Sequence, residues 1–214
     1  MSGRTLYGYW RSSAAYRVRI ALALKGLDYE HKGIDLRTGA QSGVGYKLLN
    51  PQGLVPYLID GDVGLNQSLA IIEYLDEVYP EPRLLPDDPV GRARVRAAAL
   101  AIACDIHPLN NLRVLKYLKD PLGHEQAEID AWAQHWIETG FAALEEIAEG
   151  SSGPYLFGDA VTLADVCLVP QMYNARRVRA DLTHFPNLVE VDKALNALPA
   201  VRKVRPEAQP DADV

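Results

Sequence analysis

Two serines, Ser12 and Ser13, stand where a short run of β-formers gives way to a helical pattern, and Gln67-Ser68 stands at a second junction of the same kind. The N-terminus of a helix presents unpaired N–H groups and a partial positive charge. A hydroxyl at the first junction can donate to a thiolate held there, and the second junction can receive a carboxylate. The same residue types are also ordinary helix caps, and the pattern alone leaves both readings open. Val55-Pro56 adds a third element. A residue before a cis-proline has extended backbone whose N–H and C=O can pair with a peptide as one added strand. Together these features describe a site for a small acidic peptide.

Other residues with chemical potential read more plainly. Cys104 and Cys167 lie among apolar neighbours without the paired spacing of a zinc or redox site, so two buried thiols and no metal are expected. Thr162-Leu163-Ala164-Asp165 is a capping box ahead of an apolar run, which points to a structural role. The net charge of −6 argues against a nucleic-acid partner, which would need a basic face. No signal-peptide pattern opens the chain and no apolar run is long enough to span a bilayer, so a cytoplasmic location without membrane contact is expected.

The elements that must position these residues fall into two groups. Thr5–Tyr9 reads as a strand, Ser13–Lys25 as a helix with a broad buried face, and Tyr29–Asp35 as a second strand. Thr38–Gly45 is loop-like. Val55–Ile59 reads as a third strand, Asp60-Gly61 as a hairpin turn, Val63–Asn66 as its return, and about Ser68–Tyr79 as a helix. The proline-rich stretch from Pro80 to Asp88 breaks the periodicity, and helical patterns follow over 89–104, 108–118, 125–148, 162–178 and 187–198. This predicts an α/β domain over residues 1–83 and an all-helical domain over 84–214. The final stretch, 205–214, is expected to be disordered or on the surface.

The run Ser12-Ser13-Ala14-Ala15-Tyr16-Arg17-Val18-Arg19-Ile20-Ala21-Leu22 resembles the signature of the zeta-class glutathione transferases, the maleylacetoacetate isomerase family. Asn50–Pro56, Asn66–Leu75 and Asp105–Asn111 agree with it in the same order along the chain. The resemblance implies a thioredoxin-like N-terminal domain, a helical glutathione-transferase C-terminal domain, and a homodimer. It implies glutathione as cofactor, with Val55 pairing through its backbone, Gln67 and Ser68 holding the γ-glutamyl carboxylate, and Gln41 near the glycyl end. His107 and Asn111 would reach glutathione or its neighbourhood. Family members commonly carry a cysteine where this chain has Ala14, so no protein thiol acts at that position and Ser12 is left as the activator, with Ser13 beside it. The implied reaction is cis–trans isomerisation of maleylacetoacetate through reversible thiolate addition. Maleylpyruvate isomerisation, conjugation by a general glutathione transferase, and haloacid dehalogenation are the rival readings.

A dicarboxylate substrate and an acidic protein repel each other, so cations must be gathered locally. Arg11, Arg113 and Arg177 are expected to serve, with Arg176 a competitor of its neighbour, because a planar guanidinium can hold a carboxylate through two hydrogen bonds. Arg11 would lie near the developing enolate, and Arg113 and Arg177 would hold substrate carboxylates.

Overall fold

A computed structural model describes residues 3–213; residues 1, 2 and 214 lie outside the description. The chain divides into two compact units, Met1–Arg83 together with Leu198–Val214, and Leu84–Ala197.

In the first unit, strand β1 (Arg4–Gly8) leads into helix α1 (Ser13–Leu24), and β2 (Glu30–Gly33) returns parallel to β1. A short helix α2 (Val44–Leu49) precedes the hairpin of β3 (Tyr57–Asp60) and β4 (Val63–Asn66), and α3 (Ser68–Val78) follows. β3 runs antiparallel to β1, giving the sheet order β2-β1-β3-β4. α1 is buried along Ala15–Leu22 and packs on α3. Lys25 ties the ends of these two helices together, its ammonium 2.8 Å from Asp76 Oδ1 while it also donates to the carbonyls of Tyr79 and Pro82. Such a buried cation is tolerable because every proton finds an oxygen.

The second unit is helical. α4 (Pro89–Leu100), with Asp88 as its cap, continues into a π-helical segment, Ala101–Ile106, and a 3₁₀ turn, His107–Asn110. α5 (Leu112–Lys119), α6 (Gln126–Glu149), α7 (Leu163–Arg177) and α8 (Pro186–Ala197) follow. α6 buries Ile129, Ala133, Ile137, Phe141 and Leu144, a stripe at helical spacing. Gly140 on α6 lets the π segment approach, since a Cβ there would lie 2.3 Å from Ile106 Cδ1. α7 is buried over most of its length, as expected of the central helix of an all-helical layer.

The chain then returns to the first unit as α9 (Pro199–Lys203) and a 3₁₀ turn, Pro206–Ala208. Residues 198–214, expected as part of a helical domain over 84–214, pack with the first unit. Residues 205–213 form an ordered tail that lies largely on the surface, with Pro206 and Gln209 buried. Just before it, Arg19, a wholly buried cation of α1, donates to the Val204 carbonyl at 3.2 Å. A further difference is α2, which falls partly in the stretch read as loop. Its Val44 and Leu48 are 80% and 81% exposed, so it carries no amphipathic pattern to find.

Candidate functional site

The first unit brings three backbone features together. Ser12 is the N-cap of α1, with extended backbone, and its Oγ accepts the Ala15 N–H at 3.3 Å. The capping reading is therefore true, yet incomplete. A hydroxyl accepts and donates independently, and the Ser12 proton is committed to no acceptor among the described residues. Ser13 is the first helical residue beside it, and Arg11 is exposed with its guanidinium carbon 5.2 Å from the Trp10 ring centre.

Val55-Pro56 is a cis peptide at the entrance of β3. The loop before it is stapled from within. The Leu54 carbonyl accepts from the Tyr46 hydroxyl and from Asn50 Nδ2, both at 2.7 Å. Asn50 Oδ1 in turn accepts from the Gln52 N–H and from Asn66 Nδ2. Burial pushes the Tyr46 phenol up to about 12, so it stays a donor at neutral pH. Neither the N–H nor the C=O of Val55 pairs with another described backbone group. Gln41 flanks this loop: a Cβ on Gly53, whose φ is +62°, would meet the Gln41 carbonyl at 3.1 Å.

Gln67 occupies the N-cap position of α3 at φ 66°, ψ 114°, and no side chain caps the helix. A non-glycine residue at positive φ is strained, and such strain concentrates where a site needs a particular backbone direction. Gln67 Nε2 donates to Gln52 Oε1 at 2.9 Å. Ser68 is buried, and Arg17 of α1, only 1% exposed, donates to its Oγ at 3.3 Å. A buried guanidinium thus adds its charge to the open N-terminus of α3.

The second unit carries the remaining expected residues. His107 Nε2 and Asn111 Nδ2 are 3.2 Å apart, which makes Nε2 the acceptor and places the ring proton on Nδ1. Asn111 Oδ1 caps α5 through the Arg113 N–H, while the Arg113 side chain is exposed. Arg177 Nε donates to Asn174 Oδ1 at 3.1 Å, and Asn174 Nδ2 donates to Asn110 Oδ1 at 2.9 Å. Arg177 is in this way tied to the His107–Asn111 segment. Arg176 turns elsewhere, to the buried carboxylate of Asp192 at 2.6 Å. The Thr162–Asp165 capping box is present: Asp165 Oδ2 accepts from the Thr162 N–H and hydroxyl, and Oδ1 accepts from the Leu156 N–H.

Sequence reading passed over Arg17, Arg19, Asn50 and Gln52. The signal for the first two was present, since Arg17 and Arg19 interrupt a helix that is apolar on nearly every side. Both cysteines are free, and Cys104, within the π segment whose buried residues are Ile102 and Ile106, is exposed rather than buried. Among the described residues no group of three His, Cys, Asp or Glu side chains is disposed to hold a metal. No described helix is long and apolar enough to cross a membrane.

Family comparison adds to this geometry. Residues 2–77 match the N-terminal domain of glutathione S-transferases and residues 126–203 the C-terminal domain. The chain is 52% identical to a probable maleylacetoacetate isomerase of Vibrio cholerae over 214 residues, covering 99% of this chain and 100% of that one. It is similar to the solved structure of a maleylpyruvate isomerase, a bacterial zeta-class glutathione S-transferase, at a TM-score of 0.95 and 48% identity over 97% of this chain and 99% of that one. It is also similar to a maleylacetoacetate isomerase of Methylobacterium extorquens AM1 solved with malonate and glutathione, at a TM-score of 0.91 and 39% identity over 98% of this chain and 100% of that one.

Proposed function

This chain belongs to the zeta-class glutathione transferases, the maleylacetoacetate isomerase family, and on that premise we propose that it is a glutathione-dependent cis–trans isomerase converting maleylacetoacetate to fumarylacetoacetate. The observation that carries the mechanism is Ser12, a helix cap whose hydroxyl proton is still available. The full-length likeness to isomerases supports the choice of substrate.

The donor set of the first unit fits a small acidic thiol peptide. α3 has no side-chain cap, so its first N–H groups, Ser68 and the Arg17 charge behind them suit the γ-glutamyl carboxylate, with Gln67 at the rim. The unpaired backbone of Val55 suits the cysteinyl unit, and Gln41 the glycyl end. When bound, glutathione supplies the thiolate that adds to the activated double bond, allows rotation, and leaves unchanged.

The residues of this chain do the rest. Ser12 donates its hydroxyl proton to the sulfur and, with the positive end of α1, favours the anionic form. A free thiol has a pKa of about 8.5, and lowering it by about two is worth roughly 2.7 kcal/mol, within reach of one hydrogen bond to an anion and a helix end. Ala14 offers no thiol of its own, so the nucleophile comes from the cofactor. Arg11 opposes the negative charge that develops on the substrate carbonyl oxygen, and Arg113 and Arg177 hold the substrate carboxylates. His107 and Asn111 are assigned to glutathione or its neighbourhood on the family resemblance alone. The working form is a homodimer in the cytoplasm, which the family resemblance and two free cysteines support.

The 48% identical maleylpyruvate isomerase favours a second reading in which the shorter substrate is the physiological one. Side-by-side rates with maleylacetoacetate and maleylpyruvate at limiting glutathione decide between them; the expected preference is for maleylacetoacetate. In the same assay, glutathione is measured before and after many turnovers. It should be undiminished, whereas stoichiometric loss would mean a conjugating transferase or a dehalogenase.

A further inference from the structure

The turn that carries Ser12 is held from behind by residues far away in sequence. The Tyr9 carbonyl accepts the Ser12 N–H at 3.0 Å, which shapes the turn. Arg19, wholly buried, donates to the Trp10 carbonyl at 2.8 Å and to the Tyr9 carbonyl at 3.4 Å. The Trp10 N–H goes to Asp211 Oδ2 at 3.0 Å. Asp211 lies 201 positions further along the chain. Its other oxygen is 2.9 Å from His31 Nε2 on β2. Burial holds the His31 imidazole below its ordinary value against the opposing pull of Asp211, so at neutral pH a neutral ring sits beside the carboxylate.

The fit is close. A Cβ on Gly33 would lie 3.1 Å from Asp211 Cβ and 3.3 Å from Asp211 Oδ2, so the glycine at the end of β2 makes room for the carboxylate. Arg37 pairs with both Asp35 and Asp213, which fastens the tail on the far side of Asp211. Arg19 also accounts for the near side, through Val204. The tail is thus anchored on both flanks, with Asp211 between them aimed at the backbone of the active turn.

We propose that Asp211 is a positioning residue for thiol activation: the C-terminal segment is a strap whose carboxylate fixes the Trp10 peptide and so the direction in which Ser12 presents its hydroxyl. It acts through the turn and touches neither cofactor nor substrate. A buried peptide N–H needs an acceptor, and a carboxylate gives a stronger, more directional bond than a neutral group. A hydroxyl that must meet a sulfur at hydrogen-bond distance is sensitive to small displacements of its backbone. The proposal rests on the glutathione-dependent reading of the site given above.

The test uses the full-length protein and glutathione alone, with the ultraviolet absorbance of the thiolate titrated against pH, and steady-state kinetics alongside. Asp211→Ala should raise the apparent pKa of bound glutathione by about one and lower kcat about threefold at neutral pH, because a thiol moved from about 6.5 to about 7.5 falls from roughly three-quarters to one-quarter thiolate. The glutathione KM should change less than twofold, because the γ-glutamyl end is held at α3. Asp211→Asn should restore most of kcat, since its amide oxygen can still accept the Trp10 N–H. Gly33→Ala, which crowds Asp211 without removing it, should shift the titration in the same direction by a smaller amount, and it keeps the test available if Asp211→Ala folds poorly. An unshifted titration in Asp211→Ala, or in Gly33→Ala where only that variant folds, overturns the proposal, as does activity lost only in proportion to the unfolded fraction. A wild-type protein with no titrating thiolate would refute the glutathione reading itself, which separates the two failures.

Discussion

The helix N-termini at Ser12 and Thr162 begin with the same kind of residue and are finished in opposite ways. At α7, Thr162 and Asp165 form a reciprocal capping box in which the Thr162 hydroxyl proton is also spent: Asp165 is 0% exposed, and its two oxygens take the Leu156 and Thr162 N–H groups and that hydroxyl. At α1, Ser12 accepts one N–H through a long 3.3 Å contact and keeps its proton. α3 goes further, with no side-chain cap and a strained residue at its threshold. A helix end inside a core must satisfy its own donors, whereas one that leaves them open has donors to offer a ligand. On the proposed reading, completeness of capping, more than the presence of a hydroxyl, marks which helix ends serve the ligand.

The sharpest way to break that comparison is Asp165→Ala. It would leave the Leu156 and Thr162 N–H groups buried without acceptors, at about 1–3 kcal/mol each, so a destabilisation of about 3 kcal/mol is expected in denaturant melts. Glutathione affinity of the folded fraction should stay within twofold. A large affinity loss with an unchanged melt would place Asp165 in the site and end the distinction.

Next come the arginines of the helical unit. Arg177→Ala and Arg113→Ala should each raise the substrate KM at least tenfold, as expected for a lost charged hydrogen bond of about 1.5–3 kcal/mol, without altering glutathione affinity. Unchanged KM in both would mean that the carboxylates are held elsewhere. Arg176→Ala should act on stability instead, by about 1 kcal/mol, because it strips the charged partner from buried Asp192 and leaves it only the Asn196 amide. Burial already raises the Asp192 carboxyl, with Arg176 opposing, so removing Arg176 raises it further. The sign follows: the variant's deficit is full at neutral pH, where the unpaired carboxylate is charged, and shrinks as pH falls and the group takes its proton. Melts at neutral and acid pH check this.

The smallest effect belongs to the strained threshold of α3. Gln67→Gly should relieve positive φ and gain a few tenths of a kcal/mol to about 1 kcal/mol in stability, offset by the entropy of glycine, while weakening glutathione binding. A variant that binds glutathione as tightly as the parent would show that the strain serves only the fold.

What could be read in the sequence was whatever is local. The capping box needs four consecutive residues, the hairpin needs Asp60-Gly61, and Ser12 and Gln67-Ser68 announce themselves at strand-to-helix junctions. What could not be read depends on distant partners. Asp211 sits in a segment of prolines and acids that resembles a loose tail, and its partner Trp10 N–H is a backbone group with no sequence identity. Arg17 and Arg19 show as charges in an apolar helix, but their acceptors, Ser68, Trp10 and Val204, are supplied by folding. The choice between Arg176 and Arg177 rested on a helical turn of about 100°, which separates the neighbours without saying which points where. Arg176 pairs with Asp192 and Arg177 with Asn174, partners that no local spacing announces.

The central claim is that the open hydroxyl of Ser12 makes the thiolate, and titration of bound glutathione by thiolate absorbance tests it most directly. In Ser12→Ala the apparent pKa of the bound thiol should rise by at least one and turnover should fall more than tenfold, with glutathione still bound and the melting temperature little changed. A titration in Ser12→Ala that superimposes on the parent's, with the loss appearing in Ser13→Ala instead, would contradict it.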